Sequence, residues 1–204
     1  MNHPLQCRCG TLKGSVANPR SANRAVCYCK DCQAFAHFLG READVLDERG
    51  GSDVIQTLPR NITFTQGIEA LACMRLTQKG LLRWYAGCCN TPIGNTLATP
   101  KFSFIGLLHS CLDNADVPLH DSFGPVRAWV NTNGARGNPK PGTVGLGRAV
   151  RWFIATTLKA RINGDYRHSP FFRTDTGAPS VPPRVLGSGE HASLMQAVRA
   201  TATG

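Results

Sequence analysis

The sequence predicts a mainly β fold with antiparallel sheets and one amphipathic helix near the C-terminus. From Val54 to Leu112, short runs that alternate apolar and polar residues are separated by proline and glycine turns, which is the pattern of successive β-strands. From Val144 to Ile162, apolar residues recur at helical spacing instead. Seven of the nine cysteines lie in close clusters, which predicts that the sheets are held around a metal.

The length and composition indicate a globular protein. The chain has 204 residues, of which 42% are hydrophobic and 18% are charged, and this balance excludes a disordered chain. Residues 1–12 contain no apolar run of the kind that marks a signal peptide. The longest apolar stretch, residues 102–112, is too short to cross a bilayer. We therefore expect a cytoplasmic protein with no transmembrane segment.

The first 53 residues predict two short strands and a short helix. The strands cover residues 12–16 and 25–26, and the second leads into a helical segment over residues 33–39. Gly40 ends that helix, because glycine readily takes the left-handed conformation of a helix C-terminus. Residues 41–53 are polar and glycine-rich, which indicates an exposed loop.

The middle of the chain is expected to supply the antiparallel strands. Pro59 and Gly67 each end a strand, and residues 78–80 are typical of a hairpin turn. The predicted strands cover residues 54–58, 62–66, 71–77, 81–86, 96–97 and 102–108.

The clustered cysteines predict zinc sites and not disulfides. Thiols so close in sequence are poor candidates for bridging to each other, and thiolates are ligands that zinc prefers. The clusters are the pair Cys7 and Cys9, the triplet Cys27, Cys29 and Cys32, and the adjacent pair Cys88 and Cys89. The two remaining thiols, Cys73 and Cys111, stand alone in apolar strands and are expected to be buried core residues.

The number of ligands distinguishes the two kinds of zinc site. A structural zinc is closed by four protein ligands, whereas a catalytic zinc keeps one position open. The pair Cys7 and Cys9 would be completed by Cys88 and Cys89. The triplet over residues 27–32 supplies three ligands, so it is a candidate reaction centre unless a fourth ligand closes it.

These motifs together resemble the glutathione-dependent formaldehyde-activating enzyme family, which includes the centromere protein V domain. The shared features are the C-x-C-G run at residues 7–10, the C-x-C-x-x-C run at residues 27–32 and an aromatic strand that ends in the thiol pair at residues 88–89. The likeness covers about residues 5–112, and the runs at residues 53–59 and 83–92 look like those of an uncharacterised branch of that superfamily.

The resemblance implies a fold, a cofactor and an activity. The fold would be an Mss4-like β-tent over residues 1–112, with residues 113–204 as a C-terminal extension packed on it. One zinc would be structural, and a second, on the triplet, would meet the substrate. The implied activity is that of a carbon–sulfur lyase, which joins a small thiol such as glutathione to formaldehyde or a similar aldehyde.

One departure from the family pattern leaves a ligand open. Ala86 stands where the family has the first thiol of its C-x-x-C-G motif, and Asn90 replaces the glycine. Cys89 aligns with the second thiol. Cys88 either substitutes for the missing thiol or turns to the triplet, and in the second case it would close the triplet's zinc site and abolish the reaction centre.

Five side chains near the triplet are candidates for secondary roles. Lys30 and Arg24 would offset its negative charge, or they are ordinary surface residues. His37 would be a proton shuttle or a fourth ligand, or it only packs beside its aromatic neighbours. Tyr28 would form a wall of the site, and Asp31 would accept a hydrogen bond from a backbone N–H group.

The C-terminal region is basic. Residues 136–175 hold 8 Lys/Arg and 2 Asp/Glu, so they carry +6 of the net charge of +10. A helix over residues 144–162, with Thr143 as its N-cap, is expected to pack its apolar stripe on the sheet and to expose its basic face. A partner helix, a dimer interface and an in-plane membrane helix are the alternatives. Residues 169–190 are expected to be irregular and residues 191–200 to form a short helix.

This basic region provides a second hypothesis for function. The protein would then be a non-enzymatic zinc module that binds nucleic acid or a protein partner. The sequence contains no recognised nucleic-acid motif, which argues against nucleic acid. The sequence does not predict the oligomeric state.

Overall fold

The computed structural model describes residues 2–112 and 117–201. The strands formed by these residues are, in chain order, β1 (His3–Gln6), β2 (Lys13–Val16), β3 (Asn23–Cys27), β4 (Ser52–Thr57), β5 (Ile62–Gln66), β6 (Leu71–Arg75), β7 (Leu82–Ala86), β8 (Thr91–Thr96), β9 (Ile105–Leu108), β10 (Ala128–Val130) and β11 (Arg184–Val185). The α-helices are α1 (Lys30–Leu39), α2 (Glu42–Val45), α3 (Leu119–Phe123), α4 (Leu146–Ile162) and α5 (Ser188–Ala200). The fold is mainly β with a long helix, α4, in the C-terminal third, as predicted.

The strands form two sheets. The larger has the order β10-β3-β4-β9-β8-β7-β6-β11, and the smaller has the order β1-β2-β5. The five interior pairs of the larger sheet, from β3 to β6 in this order, are antiparallel, as predicted. The two edge strands β10 and β11 pair in parallel with β3 and β6, which the sequence patterns do not predict.

The larger sheet is covered on both faces. On one face Trp84 packs in a core with Leu5 and Leu12 of the N-terminal segment. On the other face α1 and α5 pack against β6 through Phe35, Met74 and neighbouring apolar residues. Successive residues of a strand point to opposite faces, so Arg83, next to Trp84, lies on the side of α1.

One interior strand was largely missed from sequence. β8 was predicted only at residues 96–97, because Pro92 and Gly94 are typical of turns. In the structure Pro92 lies beside a register shift in the pairing of β7 with β8. Gly94 permits close packing, since a Cβ atom there would lie 2.8 Å from the carbonyl oxygen of Gly106. The expectation of a loop over residues 41–53 was also incomplete, because that segment contains α2.

The helix α4 begins later than predicted. Val144 pairs with Trp129 in an isolated bridge, so the helix cannot be capped by Thr143. Its N-cap is Gly145, which has a positive φ of 72°. A Cβ atom at this position would lie 2.1 Å from the carbonyl oxygen of Arg127, so only glycine fits.

The orientation of α4 contradicts the sequence-based expectation. Its buried residues are Ala149, Thr157 and Ala160. The apolar stripe that was expected to pack on the sheet is mostly exposed to solvent, at Leu146, Val150, Ile154 and Leu158. Hydrophobic periodicity identified the helix correctly but assigned the wrong face to the core.

The segment after residue 117 contributes to the main core. Phe171 is fully buried, and its ring lies 5.1 Å from that of Trp84 and 5.8 Å from that of Phe64, measured between centroids. Both edge strands of the larger sheet, β10 and β11, and the ring of Phe171 come from beyond residue 112. The division of the chain into a domain and an extension at residue 112 stays a prediction. No helix of the described ranges is long and apolar enough to span a membrane.

We expect Phe171→Ala to lower the free energy of unfolding of the whole chain by about 3–5 kcal/mol, as is typical of a large core residue. Denaturant unfolding followed by tryptophan fluorescence measures this change. The matched control is Phe102→Ala, which removes a side chain that is 54% exposed and should change stability by about 0.5 kcal/mol or less. Equal effects of the two substitutions would contradict this packing.

Candidate metal centre

Four thiols from two distant turns form the first cluster. The sulfur atoms of Cys7, Cys9, Cys88 and Cys89 all lie within 4.8 Å of one another. Cys7 and Cys9 follow β1, whereas Cys88 and Cys89 lie in the turn between β7 and β8. The structure thus groups Cys88 with the N-terminal pair and not with the triplet.

The spacing of these sulfur atoms fits a tetrahedral zinc ion. Zinc–sulfur bonds of about 2.3 Å place tetrahedral ligands roughly 3.8 Å apart. The sulfur–sulfur distances are 3.5 Å for Cys7 with Cys9, 3.8 Å for Cys7 with Cys88 and 3.3 Å for Cys9 with Cys88. The adjacent thiols Cys88 and Cys89 are 3.9 Å apart, so both can face one ion.

Two residues in the left-handed conformation shape the turns that carry these thiols. Gly10 has φ of 76° and Asn90 has φ of 55°. Asparagine is among the few non-glycine residues that adopt this conformation readily, so Asn90 fits this turn without a glycine. A hydrogen bond with Thr11 lowers the pKa of Cys9 to about 6, which favours the thiolate form that binds metal.

The triplet forms a second cluster where β3 ends and α1 begins. The sulfur atoms of Cys27, Cys29 and Cys32 lie within 4.8 Å of one another, and those of Cys27 and Cys32 are 3.9 Å apart. Cys27 is the last residue of β3, and Cys29 is the N-cap of α1. Within residues 2–112 and 117–201, no histidine, carboxylate or further cysteine joins this group.

The N-terminus of α1 supplies groups that would stabilise a thiolate in the triplet. The backbone N–H group of Cys32 donates to the sulfur atom of Cys29 at 3.3 Å. The N-terminal end of a helix also carries partial positive charge, which stabilises thiolates. The helix begins three residues before the predicted start because Cys29 caps it.

A buried arginine lies next to the triplet. Arg83 of β7 is only 2% exposed, and its guanidinium donates to Asn95 at 3.2 Å and lies 3.7 Å from the carboxylate of Asp31. Hydrogen bonds with the thiols of Cys27 and Cys29, followed by the positive charge of Arg83, hold the pKa of Cys32 well below its ordinary value.

The burial of Arg83 has an energetic consequence. A buried cation without a close anionic partner is strongly destabilising, and Asp31 is mostly exposed to solvent. A zinc ion with three thiolates carries a net charge of −1, which would match the single positive charge of Arg83.

The loop at residues 131–134 packs against the triplet. The side-chain amide of Asn131 donates to the sulfur atom of Cys27 at 3.3 Å. Gln33 is buried and donates to the carbonyl oxygens of Tyr28 and Gly134, both at 3.0 Å. A Cβ atom at Gly134 would lie 2.1 Å from the carbonyl oxygen of Tyr28, so this close approach requires glycine.

The other candidates near the triplet have different partners. His37 contacts Glu42 at 2.6 Å through Nδ1 and is outside both thiol groups. Arg24 makes an ion pair with Asp53 at 2.6 Å and Lys30 is exposed, so the cation beside the triplet is Arg83.

Tyr28 and Asp31 lie within the segment that carries the triplet. Tyr28 is buried, with its hydroxyl donating to Asp47 at 3.4 Å, which fits a wall of the site. Asp31 was expected to accept a hydrogen bond from a backbone N–H group. In the structure its carboxylate instead contacts the guanidinium of Arg83.

Sequence reasoning missed Arg83, Asn131 and Gln33. An arginine in the predicted strand 81–86 has no local signal that it is buried. The Asn-Thr-Asn-Gly run at residues 131–134 was recognised as a loop, but nothing in it predicts which surface it covers. The isolated thiols Cys73 and Cys111 are buried, as predicted.

Comparison with known proteins gives a family and a distant structural likeness. Residues 1–180 match DUF6151, described as a family of unknown function. No curated protein matches the chain. Among solved structures, the chain is similar to the crystal structure of a Rhodobacter sphaeroides protein, with 15% identity, a TM-score of 0.37 and coverage of 55% of this chain and 90% of that chain. A structural likeness this weak assigns neither a fold nor a function to the chain.

We expect Arg83→Met to weaken zinc binding by the triplet about fivefold or more, because an adjacent unit charge contributes at least about 1 kcal/mol even in a polar environment. Competition with a chromogenic chelator measures the two affinities. The four-thiol cluster is the internal control, since its affinity should not change, and Arg83→Lys should retain most of the triplet's affinity. Equal affinities in wild type and Arg83→Met would contradict this role.

Proposed function

The chain belongs to the DUF6151 family of unknown function, and we propose that it is a zinc protein that adds a small thiol to a small aldehyde. The observation that carries this proposal is the difference between the two thiol clusters. Four sulfur atoms converge in one cluster, but only three ligand atoms from the described residues converge in the other. Four ligands make a closed structural site, and three leave a position for substrate.

The chemistry that fits such a site is addition of a thiol to a carbonyl group. Zinc, when bound there, would supply the positive charge that lowers the pKa of a thiol in the free position. As a thiol such as glutathione adds to formaldehyde, a sulfur–carbon bond forms and the carbonyl π pair moves to oxygen. The thiol proton ends on that oxygen and gives a hemithioacetal. The reverse reaction breaks the carbon–sulfur bond, and neither direction needs an oxidant.

Residues of the chain would tune the site. Arg83 would offset the negative charge of the three thiolates, which would otherwise weaken the electrophilic character of the centre. The amide of Asn131 donates to the sulfur of Cys27, which spreads the charge on that ligand and holds its position. Tyr28 and Gly134 close one side of the triplet by direct backbone packing, so substrate would approach from another side.

The likeness to the formaldehyde-activating family supports this proposal at the level of motifs. We extend it to an Mss4-like β-tent for residues 1–112, with residues 113–204 as an extension. The smaller sheet packed against the larger one, with a thiol cluster between their turns, is compatible with that fold. All nine cysteines are free thiols, which suits a reducing compartment such as the cytoplasm.

Nucleic-acid binding by the basic region is less well supported. The cations of α4 alternate with exposed aliphatic side chains such as Val150 and Ile154. A phosphate backbone would leave those side chains in water, whereas typical nucleic-acid footprints combine cations with polar or aromatic residues.

We expect the zinc-loaded chain to accelerate exchange between free and hydroxymethylated glutathione in the presence of formaldehyde, measured by exchange NMR. Cys29→Ala should reduce the zinc content from two ions to one, because one of the two clusters loses a ligand, and should return the rate to that of the spontaneous reaction.

The matched control is Cys73→Ala, which removes a buried thiol outside both clusters and should keep both zinc ions and the rate. The proposal fails if the wild type with two zinc ions gives no acceleration. It also fails if Cys29→Ala keeps the full rate after losing one zinc ion.

A further inference from the structure

The exposed apolar residues of the chain are concentrated at one place. Nine large hydrophobic residues are exposed among the described residues, and seven of them lie on α4, just before it or on the adjacent loop. We call these seven residues the α4 surface: Phe102, Val144, Leu146, Val150, Ile154, Leu158 and Ile162. An apolar surface of this kind usually marks a binding site.

The surface is a regular feature of the helix. Leu146, Val150, Ile154, Leu158 and Ile162 follow one another at intervals of four residues, which places them along a continuous ridge over the whole length of α4. Another side of the helix contacts the protein through the buried residues Ala149, Thr157 and Ala160 and through Phe153, whose ring lies 5.3 Å from that of Phe104. The aliphatic side chains of the ridge are therefore left for another contact.

The charge of α4 identifies the kind of partner. Four basic residues, Arg148, Arg151, Lys159 and Arg161, are all exposed, and the helix contains no acidic residue. Within the described part of the chain, none of the four makes an ion pair with a carboxylate. A partner that buries the ridge must also accept this positive charge.

A second copy of the chain does not satisfy this condition. Two α4 helices packed against each other would bring the same cations together without an anion, and like charges across an interface are destabilising. An anionic lipid surface satisfies both conditions, because acyl chains accept the apolar ridge and phosphate groups accept the cations. We propose that the α4 surface binds the headgroup layer of an anionic membrane, with α4 lying parallel to it.

A groove beside the ridge supports the lipid as occupant. It has a volume of about 430 Å³ and is bordered by Phe102, Phe153 and Leu158, with Lys101 and Arg161 at its edges. An acyl chain in the groove would bring its phosphate close to these two cations. Trp152 takes no part, because its indole N–H donates to the carbonyl oxygen of Ser21 at 3.1 Å.

The test is sedimentation of the full zinc-loaded chain with vesicles of phosphatidylcholine alone or of phosphatidylcholine with phosphatidylserine. We expect binding to the mixed vesicles that weakens with added salt, and little binding to phosphatidylcholine alone. The triple variant Arg148→Gln, Arg151→Gln and Lys159→Gln should lose affinity by about fivefold per charge removed.

Substitutions in the ridge separate this proposal from a general attraction of charge. Ile154→Gln combined with Leu158→Gln leaves the net charge unchanged and should reduce binding to mixed vesicles by about tenfold or more, because two aliphatic side chains leave the acyl region. The matched control is Ile68→Gln, at a residue that is 51% exposed and distant in sequence, compared with 56% for Ile154, and it should bind almost as the wild type does.

Two results would overturn the proposal. One is the absence of binding to mixed vesicles at low salt. The other is a dimer in solution, observed by analytical ultracentrifugation, that the substitution Ile154→Asp dissociates, together with a wild type that does not bind vesicles. The ridge would then be an interface between two copies of the chain. The zinc content and the glutathione exchange rate are independent of both results.

Discussion

Four sulfur atoms from two distant turns meet where the two sheets join, and this convergence is the constraint around which the fold is arranged. The turn after β1 supplies Cys7 and Cys9, and the turn between β7 and β8 supplies Cys88 and Cys89. The smaller sheet has three strands, and its buried residues Leu5, Val16 and Ile62 pack in the same core as Trp84 of the larger sheet. A metal at this junction would join the first turn of the chain directly to the centre of the larger sheet.

The second cluster lies under different constraints. Its three thiols come from one short segment between β3 and α1, so it joins no distant parts of the chain. It is surrounded instead by groups that stabilise negative charge, which are the N-terminus of α1, the amide of Asn131 and the buried guanidinium of Arg83. A site that only held the fold together would not need a matched cation in the core. The combination of an incomplete ligand set with charge compensation is what favours a reaction centre.

Local patterns predicted much of this structure because they are properties of short segments. The alternation along residues 62–66 predicted β5 with its observed ends, and Gly40 ended α1 as expected. The pairing of Cys88 with the N-terminal thiols was left open, since it depends on how distant turns meet.

The same limit explains the failures. The parallel strands β10 and β11 are each too short to show a period of two. Hydrophobicity alone oriented α4 incorrectly, because it cannot distinguish a stripe that faces the core from one that faces a partner. Arg83 was missed for a related reason: a single cation in a strand gives no sign that the strand lies beneath a thiol cluster.

The central claim is that one cluster is closed by four sulfur ligands and the other by three. X-ray absorption at the zinc edge measures it most directly in the protein loaded with two zinc ions per chain. For the wild type we predict a coordination shell that, averaged over the two zinc ions, holds between three and four sulfur atoms and a lighter ligand. For the Cys29→Ala variant, which keeps only the four-thiol cluster, we predict a shell of four sulfur atoms. Four sulfur atoms around both ions in the wild type would contradict it.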